Sequence, residues 1–159
     1  KKNKNFKVMT VPLMLICLEG LMYGFILTLI LNDSNIFSLK GLYQSDLLLN
    51  LYLCIGAGIW EEILFRLILI SFLIVIFDNI FYLKNYKIIL SLIISSLLFS
   101  AFHYIGSGAD EYTHYTFIVR LIGGLLLGLI YLKRGLAISS MTHFCYDLFL
   151  ISFPIVKII

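Results

Sequence analysis

Charged residues are scarce in this chain of 159 residues, at only 13%, while hydrophobic residues make up 61% of it. About a quarter of the residues in a soluble domain are charged, so the composition excludes an ordinary soluble protein. A membrane-spanning helix needs about 20 mostly apolar residues, and the length leaves room for roughly five or six of them. The sequence therefore predicts a single all-α domain over residues 1–159, a polytopic bundle of about five transmembrane helices with a polar cavity.

Cysteine is also rare, and Cys17, Cys54 and Cys145 all lie inside apolar segments. An odd number of cysteines without CxxC spacing indicates neither a disulfide framework nor a zinc knuckle. We expect these three residues to be ordinary apolar side chains. The net charge of +3 indicates no nucleic-acid partner, because the basic residues cluster at the ends of the apolar runs.

Five apolar runs follow one another along the chain, at residues 8–31, 47–77, 88–105, 116–132 and 135–153. The second is long enough for a tilted or kinked helix of ~46 Å, with Gly56 and Gly58 as the places for a bend. Basic residues precede the first run and follow the second and fourth, so the positive-inside rule predicts a cytoplasmic N-terminus. We expect an integral protein of a bacterial cytoplasmic membrane.

Two glycine pairs, Gly20-x-x-x-Gly24 and Gly124-x-x-x-Gly128, lie within these runs. Such spacing lets two helices approach closely in lipid. We interpret both pairs as packing within the bundle rather than as a dimer interface, and the sequence predicts no particular oligomeric state.

Glu61, Glu62 and Arg66 interrupt the second apolar run. A charge at the bilayer centre costs about 2.5–3.5 kcal/mol on insertion scales, so such residues face the bundle interior. Glu62 and Arg66 are four residues apart, which places a carboxylate and a guanidinium on one helix face. Glu61 is rotated by about 100° and remains the unpaired carboxylate, a candidate proton acceptor. The alternative is that the three charges only hold helices together.

Two histidines and an aspartate add polar groups to later runs. His103 follows Phe99 by four residues, and His143 precedes Asp147 by four, so each pair shares a helix face. Two histidines with a buried glutamate and aspartate form a constellation that packing alone does not require. Counted along the helices, Glu61 and His103 lie ~24 Å from one membrane side and His143 only ~14 Å, so the last helix must tilt or sit higher for them to meet.

Other polar residues near these positions are Ser100, Tyr104, Ser139, Ser140 and Thr142. Hydroxyl groups in membrane helices often bond within their own helix, and we expect the same of these. Glu19, a further acid in the first run, is expected either to face the same cavity or to pair with Arg120.

The three motifs stand in the order Glu61-Glu62-x-x-x-Arg66, Phe99-x-x-x-His103 and His143-x-x-x-Asp147, each on a hydrophobic run. In this order they resemble the CPBP family of intramembrane proteases, which comprises CAAX proteases and bacteriocin-processing enzymes and is also called the Abi family. The resemblance covers residues 47–150, the predicted protease core. Eukaryotic-type CAAX proteases usually end the last motif in Asn, whereas this chain has Asp147, so substrate choice is not transferable.

The resemblance implies hydrolysis of a peptide bond inside a membrane cavity. Glu61 would be the general base that activates a water, assisted by His103. His143 and Asp147 would stabilise the oxyanion or orient that water. The motif residues Glu62 and Arg66 would support the site. The substrate would be a membrane-associated peptide or protein, such as a CAAX-like tail, a bacteriocin-type peptide or a regulatory membrane protein.

The resemblance leaves the cofactor open, because the family has been described both as metalloproteases and as metal-independent glutamate proteases. Glu61, His103 and His143 have the side-chain types of a His2Glu zinc site. No HExxH-type pair stands on one helix. With a metal on Glu61, the candidate base would be Glu62. We expect the metal-free mechanism, with a divalent metal such as zinc as the alternative.

Two other functions stay open. One is a non-catalytic membrane binding protein, for bacteriocin self-immunity or as a scaffold, that retains the fold. The other is a small proton-coupled transporter with a relay of buried acids and histidines, although five short spans without a visible inverted repeat count against it. Replacing Glu61 or His103 would separate these functions from a protease.

Overall fold

The computed structural model describes residues 10–31, 47–106 and 109–152. These residues form only helices and connecting turns, which confirms the predicted all-α class. The elements are α1 (Thr10–Leu31), α2 (Leu47–Glu61), a π-helical segment (Glu62–Ile70), α3 (Ser71–Asn79), α4 (Lys87–Phe102), α5 (His114–Arg134) and α6 (Leu136–Ser152). Because α2, the π-helical segment and α3 follow without a break, the described residues contain one helix for each predicted apolar run. The basic N-terminal residues that carry the predicted orientation, Lys1, Lys2, Lys4 and Lys7, lie outside this part of the chain.

The two glycine pairs lie at close contacts between helices of the same chain. A Cβ atom on Gly24 would lie 2.6 Å from Cβ of Cys145, where α1 packs along α6. A Cβ atom on Gly128 would lie 2.3 Å from Cδ1 of Leu92, where α5 packs against α4. At Gly24 the backbone nitrogen of Tyr146 would also lie 3.0 Å away, so glycine is required there, whereas at Gly128 the end of the Leu92 side chain would have to move. The interpretation as packing within the bundle agrees with these contacts.

The departure from regular α-helical geometry in the long second helix comes after its glycines. Gly56 and Gly58 both lie in α2, and the π-helical hydrogen-bond pattern begins at Glu62. A Cβ atom on Gly58 would lie 3.0 Å from the backbone nitrogen of Phe144, so this glycine lets α2 approach α6. The special geometry therefore lies at the buried charges, and Gly58 serves helix packing.

A single residue, Gly135, separates α5 from α6. Its φ of +88° lies in the region that favours glycine, and it allows the chain to reverse at once. Just before it, Arg134 contacts Glu19 of α1 through Nε at 2.6 Å and Nη2 at 2.7 Å. The expectation that Glu19 faces the cavity or pairs with Arg120 is therefore wrong, because the end of α5 brings a nearer guanidinium to it.

The interior contains buried polar and charged side chains beside apolar ones, while many large apolar side chains lie on the surface. The largest fully buried side chains are Glu62, Arg66, Ile70, Ser91, Ser95, Ser96, Ser100, Ser139 and Thr142. Many leucine, isoleucine and phenylalanine side chains are exposed instead, and so is Trp60. Buried charges and so many exposed large apolar side chains are both unusual for a soluble protein. Two helices in the described residues, Pro12–Leu31 and His114–Arg134, are long and apolar enough to cross a membrane.

Candidate active site

The π-helical segment carries the buried ion pair predicted from sequence. The Glu62 side chain is completely buried and that of Arg66 is 1% exposed, with Nη1 of Arg66 3.2 Å from Oε1 of Glu62. Arg66 also donates from Nη2 to the Gly124 carbonyl at 3.5 Å, and its guanidinium lies 4.3 Å above the Phe99 ring. Contacts with α4 and α5 therefore hold this cation, which cannot be left unpaired in an apolar interior.

Glu62 connects the π-helical segment to α6. Its Oε1 lies 3.0 Å from Nδ1 of His143, and its Oε2 accepts a hydrogen bond from the Ser139 hydroxyl. Together with Arg66, these partners occupy both carboxylate oxygens. Glu62 is thus fully engaged in holding other groups in place.

Both histidines hold their Nδ1 atoms against oxygen acceptors. Nδ1 of His103 lies 2.9 Å from the carbonyl of Phe99, and Nδ1 of His143 faces Glu62. A carbonyl, or a carboxylate paired with arginine, accepts hydrogen bonds and cannot donate them. The ring hydrogen of each neutral histidine therefore lies on Nδ1, and Nε2 is left as an acceptor.

Glu61 lies where the two free Nε2 atoms meet. Its Oε2 is 4.0 Å from Nε2 of His103 and 3.8 Å from Nε2 of His143. This oxygen is buried without a hydrogen-bond partner among the described residues. On the other side of His143, Oδ2 of Asp147 lies 3.8 Å from the same Nε2 atom. All four residues proposed from sequence as catalytic are therefore brought together, and α6 does reach the depth of α2 and α4.

A cavity of about 260 Å³ opens onto these groups. Its polar lining residues are Glu61, His103, Asp110, Arg120, His143 and Asp147. The remaining walls are mainly apolar and come from α1, α2, α4, α5 and α6. The predicted cavity was a polar one, and the observed space combines a polar group with largely apolar walls.

Several hydroxyl groups bond between helices, although bonding within their own helix was expected. Ser139 contacts Glu62, and Ser100 donates to the Phe117 carbonyl at 2.7 Å. Thr142 follows the expectation, since it donates to the Ile138 carbonyl of its own helix at 2.7 Å. Ser139 was recognised from sequence as a polar residue near the motifs, but its contact with Glu62 was not predicted. Its spacing of four residues from His143, on one face of α6, is the signal that could have identified it.

Comparison with known proteins gives one match. The family model described as type II CAAX prenyl endopeptidase Rce1-like matches residues 43–149, which include all three motifs and nearly the whole predicted core. No curated protein and no solved structure shows a significant match. Since the matched residues make up more than half of the chain and contain the whole polar group described above, the chain belongs to the Rce1-like family of type II CAAX prenyl endopeptidases.

Proposed function

We propose that this protein is an intramembrane endopeptidase in which Glu61 activates the water that hydrolyses a peptide bond. The family is one of proteases, and membership together with the two long apolar helices identifies an integral membrane protein. The observation that carries the proposal is the unpartnered Oε2 of Glu61, which faces two histidine Nε2 atoms in the cavity.

These three atoms suit a bound water. Two polar atoms separated by 3.8–4.0 Å do not bond directly, and the question for such a pair is whether a water lies between them. Oε2 of Glu61 and Nε2 of neutral His103 present two acceptors, and a water supplies two hydrogens. These two acceptors would therefore hold a water with its oxygen directed at an incoming carbonyl carbon, and with His143 beside it.

The reaction then needs one proton transfer in each direction. Glu61 takes a proton from the water as its oxygen bonds to the peptide carbonyl carbon, and His103 orients the water. The negative charge on the carbonyl oxygen needs a hydrogen-bond donor, which His143 supplies when protonated, with Asp147 beside it. Glu61 returns the proton to the leaving nitrogen as the carbon–nitrogen bond breaks. Glu62 and Arg66 orient His143 and take no part in bond making.

A metal ion would use the same donors in a different arrangement. Glu61, His103 and His143 have the right side-chain types for zinc, and the second ring nitrogen of each histidine already has an oxygen partner, as in many zinc sites. Donor atoms around tetrahedral zinc with bonds of ~2.0–2.1 Å are about 3.3 Å apart. The distances of 4.0 and 3.8 Å from Oε2 of Glu61 to the two Nε2 atoms are wider, so the side chains as they stand do not fit tetrahedral zinc.

The distribution of side chains over the whole chain supports an intramembrane protease. Exposed leucine, isoleucine and phenylalanine side chains around buried charged and hydroxyl groups fit a polytopic bundle within lipid. The family name points to a substrate with a prenylated CAAX-type C-terminus. Bacteriocin-type peptides and regulatory membrane proteins are further candidates, because they too are membrane-associated peptides or proteins. We propose a membrane-associated peptide of this kind as the substrate.

The test is cleavage of a farnesylated CAAX-type peptide, with fluorophore and quencher on either side of the cut, by purified protein in detergent. Glu61→Gln keeps the shape of the side chain and removes the base, so we expect kcat/KM to fall at least about 100-fold. Glu111→Gln is the matched control, because Glu111 is exposed and lies outside the cavity lining. Full activity of Glu61→Gln would contradict the proposal. Loss of wild-type activity on adding a chelator, restored by zinc, would favour the metal-dependent alternative.

A further inference from the structure

Arg120 is a second buried arginine in the cavity, and nothing in the proposed hydrolysis uses it. It lies on α5, its side chain is only 9% exposed, and it lines the same cavity as Glu61 and His103. One side of the guanidinium contacts the Asp110 carboxylate through Nη2. Its carbon Cζ lies 5.1 Å from the centre of the Tyr104 ring.

The second terminal nitrogen of this guanidinium, Nη1, is the donor with unused hydrogen bonds. Nη1 of Arg120 is buried and has no hydrogen-bond partner among the described residues. A buried donor without an acceptor costs free energy, more so when it is charged. Nη1 of Arg66 also lacks a hydrogen-bond partner among the described residues, but the Glu62 carboxylate lies 3.2 Å from it as a buried counter-charge. The spare donors of Arg120 therefore mark a place for an acceptor that enters the cavity.

The chemistry of an arginine selects an anion with two oxygen atoms. Guanidinium donors form a planar fork that matches a carboxylate, and such a pair is stronger than a neutral hydrogen bond. The Asp110 carboxylate, which contacts the guanidinium through Nη2, is 47% exposed. An exposed counter-ion of this kind is readily displaced or shared when a second carboxylate arrives.

Arg120 is also connected to the proposed hydrolytic group. The backbone nitrogen of Asp110 donates to the carbonyl of His103 at 3.0 Å, and Tyr104 directly follows His103. An anion bound at Arg120 therefore lies in the same cavity as the proposed water site and close to the residue that orients the water.

We propose that Arg120 binds a carboxylate of the peptide substrate, with Asp110 as the displaceable counter-ion, and so selects peptides that carry a negative charge close to the cut. This inference rests on the proposed function, since it assigns the substrate group that the cavity recognises. The carboxylate is the C-terminus of the peptide or an acidic side chain near it.

The test compares three farnesylated CAAX-type peptides that differ only at the C-terminus: the free acid, the amide, and the amide with aspartate as last residue. For the wild type we expect kcat/KM for the free acid to exceed that for the amide about tenfold, mainly through KM. In Arg120→Gln this ratio should fall close to one, and in Arg120→Lys it should be intermediate, because lysine keeps the charge without the fork. Recovery of cleavage by the aspartate peptide identifies a side chain as an equally good source.

Asp110→Asn distinguishes recognition from a structural salt bridge. If Arg120 only stabilises the fold through Asp110, both substitutions should lower cleavage of acid and amide alike. If Arg120 binds substrate, Asp110→Asn keeps or raises the preference for the acid, because it frees the guanidinium. Equal cleavage of acid and amide by the wild type, or an unchanged ratio in Arg120→Gln, would overturn the inference.

A binding measurement separates this inference from the proposed function. Affinities of the acid and amide peptides are measured with Glu61→Gln protein, alone and combined with Arg120→Gln. Preference for the acid that depends on Arg120 supports the site even if no peptide is cleaved. Cleavage without any such preference supports the protease and rejects the site.

Discussion

Two neighbouring glutamates have different surroundings in this protein, and the difference separates their proposed tasks. Glu62 has a guanidinium, an imidazole and a hydroxyl as partners. Glu61 has an oxygen without a hydrogen-bond partner that faces the cavity. A carboxylate engaged on both oxygens is poorly placed to move a proton, whereas one that faces a cavity can bind and activate a water.

The same contrast predicts that substitution of Glu62 lowers the stability of the fold much more than substitution of Glu61. Glu62→Gln leaves the Arg66 cation buried without its counter-charge, and we expect the free energy of unfolding to fall by about 3–5 kcal/mol. Oε2 of Glu61 has no hydrogen-bond partner among the described residues, so Glu61→Gln is expected to change the free energy of unfolding by no more than about 1 kcal/mol. Thermal unfolding of both variants in one detergent measures the difference. Equal destabilisation would show that Glu61 also holds the fold together.

Phe99 belongs to the second motif, and its ring also contacts residues of the first and third motifs. Its ring lies beneath the Arg66 guanidinium and meets the rings of His103 and His143 edge-on, with centroids 5.0 and 5.9 Å away. Spacing could place Phe99 and His103 on one helix face, but it could not show that the ring also contacts Arg66 and His143. Such long-range contacts depend on the packing of three helices.

At the level of the elements, the π-helical segment is the unusual feature, and a neighbouring helix stabilises it. The hydrogen bonds of a π-helix run to the fifth residue, and such segments are frequent at functional sites. Ser95 of α4 donates to the Phe65 carbonyl within this segment at 2.7 Å. The serine therefore adds a hydrogen bond to the backbone that positions Glu62 and Arg66.

Ser95 and the adjacent Ser96 form a matched pair for testing this role. Both are 2% exposed, but Ser96 donates to the Leu92 carbonyl of its own helix at 2.8 Å. We expect Ser95→Ala to lower the free energy of unfolding by about 1–3 kcal/mol and to reduce cleavage, because the π-helical backbone loses a partner. Ser96→Ala should change both quantities less. Equal effects in thermal unfolding and in the peptide assay would argue against a special role for Ser95.

Sequence patterns could locate the helices, but they could not reveal this segment. Apolar runs predict helices because each element must bury or embed its own apolar side chains. The Glu62–Arg66 pair was predictable because residues four apart are neighbours in any helix. A change from α to π hydrogen bonding depends on what packs beside the helix, as Ser95 does, and leaves no periodic signal. The contact between Glu19 and Arg134 likewise joins two distant helices and was missed.

For the whole molecule, the exposed apolar side chains imply a surface in contact with lipid. The only tryptophan in the chain can test this. Trp60 directly precedes Glu61, and its side chain is 63% exposed. If the bundle lies in a bilayer, this exposed ring contacts lipid. We expect lipids brominated along their acyl chains to quench its fluorescence, and acrylamide in the water to quench it little.

The control is the Trp60→Phe variant, which sets the background emission. Strong quenching by acrylamide without an effect of brominated lipid would place Trp60 in water and contradict the membrane arrangement of α2.

The short connection between α5 and α6, the single residue Gly135, has a consequence for the peptide fragments that the proposed cleavage would release. α5 carries Arg120, and α6 carries His143 and Asp147. The Ser139 hydroxyl of α6 donates to the Leu127 carbonyl of α5 at 3.2 Å, and this contact together with the one-residue connection would keep the separation between the anchor and the cutting point nearly constant. The joint would act as a ruler: a peptide held by its terminal carboxylate would lose a fragment of uniform length, whatever the sequence upstream of the cut.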